Sequence, residues 1–308
     1  MIRTVLGDIP PEKLGVTYLH EHLIIDSDIV AKDFSHIHLP SVDDAVSELA
    51  LCRSAGVNSM VDCMPTGSGR DIRKLVSISE QTGVNIIAST GLHHERYYKS
   101  FDPIEASDVK GLADLFISEI QVGCEGTFHK AGVIKIVTSG ISPSEREMRL
   151  FEAAAIAQSI TGAPILTHCE HGTGALQQID ILQNLNIDLS NVVMSHTDKE
   201  PDFGYHNEIL SSGVNVEYDQ SLRQIDMENS SSALLTAEMV EQGFGRQIML
   251  GTDGARRSLW SSLGGAPGLA ALYKVWSLRL REVGLTDEQL ELMFVGNPAR
   301  FLTLKEAK

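Results

Sequence analysis

His20 and His22 stand two apart in Val-Thr-Tyr-Leu-His-Glu-His, residues 16–22. Side chains alternate along a strand, so an extended stretch here projects both imidazoles to one side and Glu21 to the other. Neutral imidazole is the commonest side-chain metal ligand near pH 7, and one cation could hold both rings. The alternative is a pair of core histidines satisfied by hydrogen bonds, and the motif alone does not choose. Four more residues offer compatible chemistry: Lys135 in Gly-Val-Ile-Lys-Ile, His168 and His196 at the ends of apolar runs, and Asp253 in Gly-Thr-Asp. Taken singly, each has an ordinary structural role, an ion pair for Lys135 or a helix cap for His168 and Asp253.

What separates these readings is the set of elements that must carry the six residues. Short apolar runs with strand character recur at 16–22, 57–64, 84–90, 132–138, 163–168, 191–196, 213–218 and 247–252,. Helical stretches lie between them. Ser41 caps one that carries Val42, Ala45, Val46 and Leu49 and stops at Gly56; another covers 71–82 and stops at Gly83,. A longer connection holds a helix over 106–122, and Ser142, Pro143 and Glu145 open the next,. No repeat, low-complexity tract or linker-like break interrupts the alternation. The pattern is α/β and fits one (β/α)8 barrel spanning 1–308 better than a doubly wound sheet. A barrel places catalytic groups at the carboxyl ends of its strands. His20, His22, Lys135, His168, His196 and Asp253 belong to five such strands and face one rim, a coincidence that independent structural roles do not readily produce.

Composition narrows the function. A chain of 308 residues with 43% hydrophobic content buries a full core,. The formal net charge of −16 repels nucleic acid and anionic membrane, so an anionic substrate needs a local positive site,. Without a signal pattern or a bilayer-length apolar run, the protein is expected to be soluble and cytoplasmic. Cys52, Cys63, Cys124 and Cys169 lack Cys-x-x-Cys spacing, which suits reduced core thiols and leaves any metal to nitrogen and oxygen ligands,.

His20-x-His22, Lys135, His168, His196, Gly-Thr-Asp253 and the closing Gly296-Asn-Pro-Ala-Arg-Phe301 together resemble the phosphotriesterase family of the amidohydrolase superfamily, over nearly the whole chain. The resemblance implies a hydrolase with two divalent ions, usually zinc, with Mn2+ or Co2+ as alternatives. His20, His22 and Asp253 would hold the more buried ion and His168 and His196 the more exposed one. Lys135 would bridge them as N6-carboxylysine; burial favours the neutral amine, which can combine with carbon dioxide. A hydroxide bridging the ions would attack, with Asp253 passing its proton toward the leaving oxygen.

For substrate, Arg223 follows the seventh run, and Arg256 and Arg257 follow Asp253, where barrels often bind phosphate,. A guanidinium grips phosphate at two points; alternatively these arginines pair with rim carboxylates such as Asp219 or Asp226. Asp253-x-Ala-Arg256 followed by Gly265-Ala-Pro-Gly-Leu269 is similar to the branch that opens phosphorylated sugar lactones. One departure is Leu259, where that branch is expected to carry tyrosine; Tyr97, Tyr98 or Ser258 could supply the hydroxyl. His93 and His94 are candidates for the substrate pocket, and Glu170 and His171 for support of His168. The expected activity is hydrolysis of a small, phosphorylated furanose lactone, with a phosphotriesterase or an acyl-homoserine-lactone lactonase as alternatives. A cyclic amidase and a non-catalytic binding barrel are more distant rivals. The expected partner is a small molecule, not nucleic acid or membrane, and the family makes a homodimer an expectation too.

Overall fold

A computed structural model describes residues 1–98 and 103–306 of the chain. Eight parallel strands follow one another in chain order around the sheet: β1 (Thr17–Glu21), β2 (Ser59–Asp62), β3 (Asn85–Gly91), β4 (Ala131–Thr138), β5 (Ile165–Cys169), β6 (Val192–Ser195), β7 (Asn215–Tyr218) and β8 (Ile248–Leu250). Beyond β8 the backbone amides of Thr252 and Asp253 donate to the carbonyl of His20 at 3.2 and 3.0 Å, which draws the last strand onto the first. Glu21 reinforces that seam, accepting from the Thr252 amide at 2.9 Å and from the Thr252 hydroxyl. The result is the expected α/β barrel with helices between its strands. An N-terminal hairpin, Ile2–Thr4 against Gly7–Ile9, lies at the base, where the Val5 amide donates to the Ile86 carbonyl.

The two-residue strand period builds the interior in layers. Leu19, Val61, Ile87, Val133, Leu166, Val193 and Met249 form one buried apolar plug with Ile2, Leu14 and Phe301. Two residues further along their strands, Val133 gives way to Lys135 and Leu166 to His168, so chemical groups sit directly on a packed floor,. β1 departs from the simple alternation. Its pairing with β2 shifts between Tyr18 and Glu21, which lets Leu19 join the floor while His20 still faces the cluster above it,.

The helices begin and end close to where their signals stand, with two differences. Ser41 caps Val42–Ser54 and Asp71 caps Ile72–Thr82, which closes on left-handed Gly83. The connection before β4 holds two helices, Pro103–Ala106 and Val109–Gln121, because Asp108 caps the second through the Gly111 amide and breaks a continuous 106–122. The helix Glu145–Thr161 is capped by Ser144 rather than by Ser142. Both serines have a glutamate three residues on, Glu145 for Ser142 and Glu147 for Ser144, and it is the second capping box that closes,. No described helix is long and apolar enough to cross a membrane.

Candidate metal centre

Lys135 is fully buried, and among the described residues it makes no ion pair. Its Nζ meets His20 Nε2 at 3.4 Å. Burial pushes the amine below its ordinary range, against the pull of Cys63, Asp253, Glu217 and Asp219,. Burial likewise disfavours the charged forms of His20, His168 and His196, so these rings stay neutral and keep a lone pair for a cation,. The rings are packed together, with centroids 4.6 Å apart for His20 and His196, 4.4 Å for His168 and His196, and 5.4 Å for His20 and His22.

Hydrogen bonds decide which nitrogen each ring can offer. His196 Nδ1 is closed on Asp219 Oδ2, which leaves Nε2. His168 Nε2 meets Glu170 Oε2 at 2.6 Å, which leaves Nδ1. A carboxylate behind a histidine of this kind fixes the tautomer and aims the free nitrogen, the usual support of a metal-binding histidine. The backbone is strained at the same place: His196 and Asp253 have positive φ of 69° and 44°, a conformation that ordinary residues adopt only when held there,.

The donor spacing can be tested against an ion. Four ligands about 2.1 Å from a tetrahedral centre lie about 3.4 Å from one another. His22 Nε2 is 3.4 Å from Asp253 Oδ1. One atom each from His20, His22 and Asp253 falls within a 4.8 Å span. Asp253 is ready as an anion. Burial opposes its charge, but the His22 contact and the fields of His196, Arg223 and Lys199 hold its carboxyl well below the usual range. The residues therefore fit a divalent cation between His20, His22 and Asp253, with His168 and His196 adjoining.

These groups form the floor of an open cleft of about 510 Å³. The six ligand candidates converge there as the barrel demands, Lys135 from below. The substrate candidates separate. His93 is buried at the cleft wall, and Arg256 is exposed on it with no carboxylate partner among the described residues. Arg223 also lines the cleft, but its guanidinium donates to the carbonyls of Asp219, Thr252 and Asp253 and, at 3.1 Å, to Asp253 Oδ2. It braces the loop that carries Asp253. Two further candidates make contacts elsewhere. Arg257 turns away to donate to the His38 carbonyl, and Tyr98 lies outside the cleft, its hydroxyl spent between the Thr66 carbonyl and the His93 amide. Of the other hydroxyls proposed near Leu259, only that of Tyr97 belongs to a cleft residue.

Several cleft residues were not singled out from sequence. Lys199, three after His196, comes within 3.9 Å of Asp253 Oδ2; burial opposes its charge, but Asp219 and Asp253 hold it above its ordinary range. Arg96 lies 3.9 Å from Glu170 and stacks over Tyr97. Asp219 supports His196 rather than an arginine side chain. The visible signal was a pair of acids, Glu217 and Asp219, two apart at the end of β7.

Sequence comparison matches residues 1–302 to the Phosphotriesterase family. The chain belongs to that family. It is a hydrolase acting on ester bonds, in a family whose centres hold two metal ions. A phospho-furanose lactonase of Mycoplasmopsis synoviae is 28% identical, covering 99% of this chain and 92% of the relative. A lactonase of Listeria monocytogenes superposes with TM-score 0.94 at 29% identity, over 99% of both chains. The phosphotriesterase homology protein of Escherichia coli, solved with phosphate in its active site, superposes with TM-score 0.87 at 28% identity, over 94% of this chain and 99% of that one.

Proposed function

We propose that this member of the phosphotriesterase family opens a small phosphorylated furanose lactone. The observation that carries the reading is a cationic wall beside the ligand cluster, in which Arg256 has no carboxylate partner among the described residues and Lys199 and Arg223 flank Asp253. In a chain of net charge −16, such a wall is a local site for an anion,. The phospho-furanose lactonase and the phosphate-bound E. coli relative support the same reading.

His20, His22 and Asp253 would hold the buried ion and His168 and His196 the exposed one, zinc being the expected metal because its ligands are nitrogen and carboxylate oxygen. Lys135, neutral through burial, would join both as N6-carboxylysine. Bound ions supply Lewis acidity, lowering the pKa of water to about 7 and drawing charge from an ester carbonyl. The chain's own groups do the rest. Asp253 accepts the proton of the attacking water on a carboxylate kept ionised by Arg223 and Lys199, and returns it to the leaving sugar oxygen. Arg256 holds the phosphate at the rim, so binding energy distant from the reacting carbon orients the ring. His93 shapes the wall.

The test is a comparison of kcat/KM across furanose lactones with and without phosphate, an acyl-homoserine lactone and an aryl dialkyl phosphotriester, with zinc-loaded and chelator-stripped protein. Phosphorylated lactones should be preferred, and stripping should remove turnover until a divalent ion is restored. A triester or acyl-homoserine lactone turned over more efficiently than every phosphorylated lactone overturns the substrate assignment. Full activity after stripping, with no metal detected, overturns the ion assignment.

A further inference from the structure

Asn215, Glu217 and Asp219 share the inner face of β7 and the turn that follows it, through the two-residue alternation,. Asp219 is accounted for by His196 and Asn215 by the carbonyls of Ser190 and Val192. Glu217 is not. It is fully buried, and neither carboxylate oxygen has a hydrogen-bond partner among the described residues. The imidazole nitrogen facing it, His20 Nδ1, lies 3.4 Å from Oε2 and is itself buried with no hydrogen-bond partner among the described residues. A lone buried acid is costly, and a barrel strand fills such a position with an apolar side chain unless the acid has a task.

We propose that Glu217 is a positioning residue for His20, its carboxylate accepting the Nδ1–H so that Nε2 is presented to Lys135 and the buried ion. Two further observations support this polarity. Lys135 Nζ lies 3.4 Å from Nε2 on the far side of the ring, where an amine N–H can donate to it once the ring proton sits on Nδ1,. Gly251 on the neighbouring loop makes room for the pair, since a Cβ there would stand 2.4 Å from Glu217 Oε1 and 3.0 Å from His20 Cβ. Asp219 already plays the corresponding part for His196. One stretch of chain thereby orients one ligand of each ion. The inference rests on the reading of His20 as a ligand.

The experiment measures ion stoichiometry and affinity by competition with a chromophoric chelator, and the melting temperature of the ion-free protein, for the native chain, Glu217→Gln and Glu217→Leu. Leucine removes the acceptor, while isosteric glutamine keeps an oxygen that can accept from Nδ1 and drops only the charge. A residue of purely structural standing predicts unchanged ion binding in both. A positioning residue predicts opposed readings: ion-free Glu217→Leu melts above the native chain, because a lone buried acid is gone, yet binds one of its two ions about 10–100-fold more weakly. Glu217→Gln falls between the two. Native affinity for both ions in both variants overturns the proposal and leaves the metal reading standing. A native chain that binds no ions overturns the metal reading, and the inference with it.

Discussion

Arg223 and Arg256 lie on the same wall of the cleft, and substituting each by methionine separates substrate recognition from support of the catalytic carboxylate. The Arg256 guanidinium is exposed and has no ion-pair or hydrogen-bond partner among the described residues, so Arg256→Met removes what it gives the substrate. A charge-assisted hydrogen bond is worth about 1.5–3 kcal/mol, and solvent at an exposed rim keeps this one near the lower figure. That corresponds to about a tenfold loss in kcat/KM for phosphorylated lactones and almost none for their unphosphorylated counterparts. Arg223 instead donates to three loop carbonyls and to Asp253 Oδ2. Its loss frees a carboxylate held at positive φ, and misplacement of a reacting group by about 1 Å can cost about 100-fold,. Arg223→Met should therefore depress both substrate sets by a similar factor. Steady-state kinetics on paired lactones reads both effects. An equal loss on the two sets for Arg256→Met, or a phosphate-selective loss for Arg223→Met, refutes the division of labour.

Asp253→Asn should abolish turnover while the far-ultraviolet circular dichroism stays native; preserved turnover would remove Asp253 from the proton path. Burial raises the Glu21 carboxyl from 4.5 to about 8, despite the hydrogen bonds from Thr252,. The folded chain then binds a proton that the unfolded chain has released between those values, so this group's contribution is full below pH 4.5 and is lost as pH rises through 8. Urea titrations of ion-free protein should show stability falling by up to about 1.4 kcal/mol per pH unit across that window, and Glu21→Gln should flatten the slope. Ser144→Ala removes the cap of Glu145–Thr161 and should lower unfolding free energy by about 1 kcal/mol in the same assay,. An unchanged value would show that the Glu147 half of the box suffices.

How far the sequence could be read follows from the range of each interaction. Strand alternation is local, so the shared face of His20 and His22, the inward position of Lys135 and the strand-end placing of His168 and His196 were all legible from spacing. A helix cap is local too, but Ser142 and Ser144 each have a glutamate three residues on, Glu145 and Glu147, so spacing offers both boxes and only the folded chain shows that the second closes. Hydrogen-bond partners across the barrel are not local. Nothing near Arg223 and Arg257 in the chain foretold that one braces Asp253 and the other leaves for His38, because each destination depends on how two distant loops meet. The same holds for Tyr98, whose hydroxyl is consumed by Thr66 and His93 beneath the cleft wall. Asp219 looked like a surface partner for arginine until the register of β7 turned it toward His196. The ligand types thus follow from local period, whereas the tautomers that make those ligands usable depend on carboxylates delivered by other strands. Substitutions of those carboxylates should accordingly change ion affinity before they change the fold.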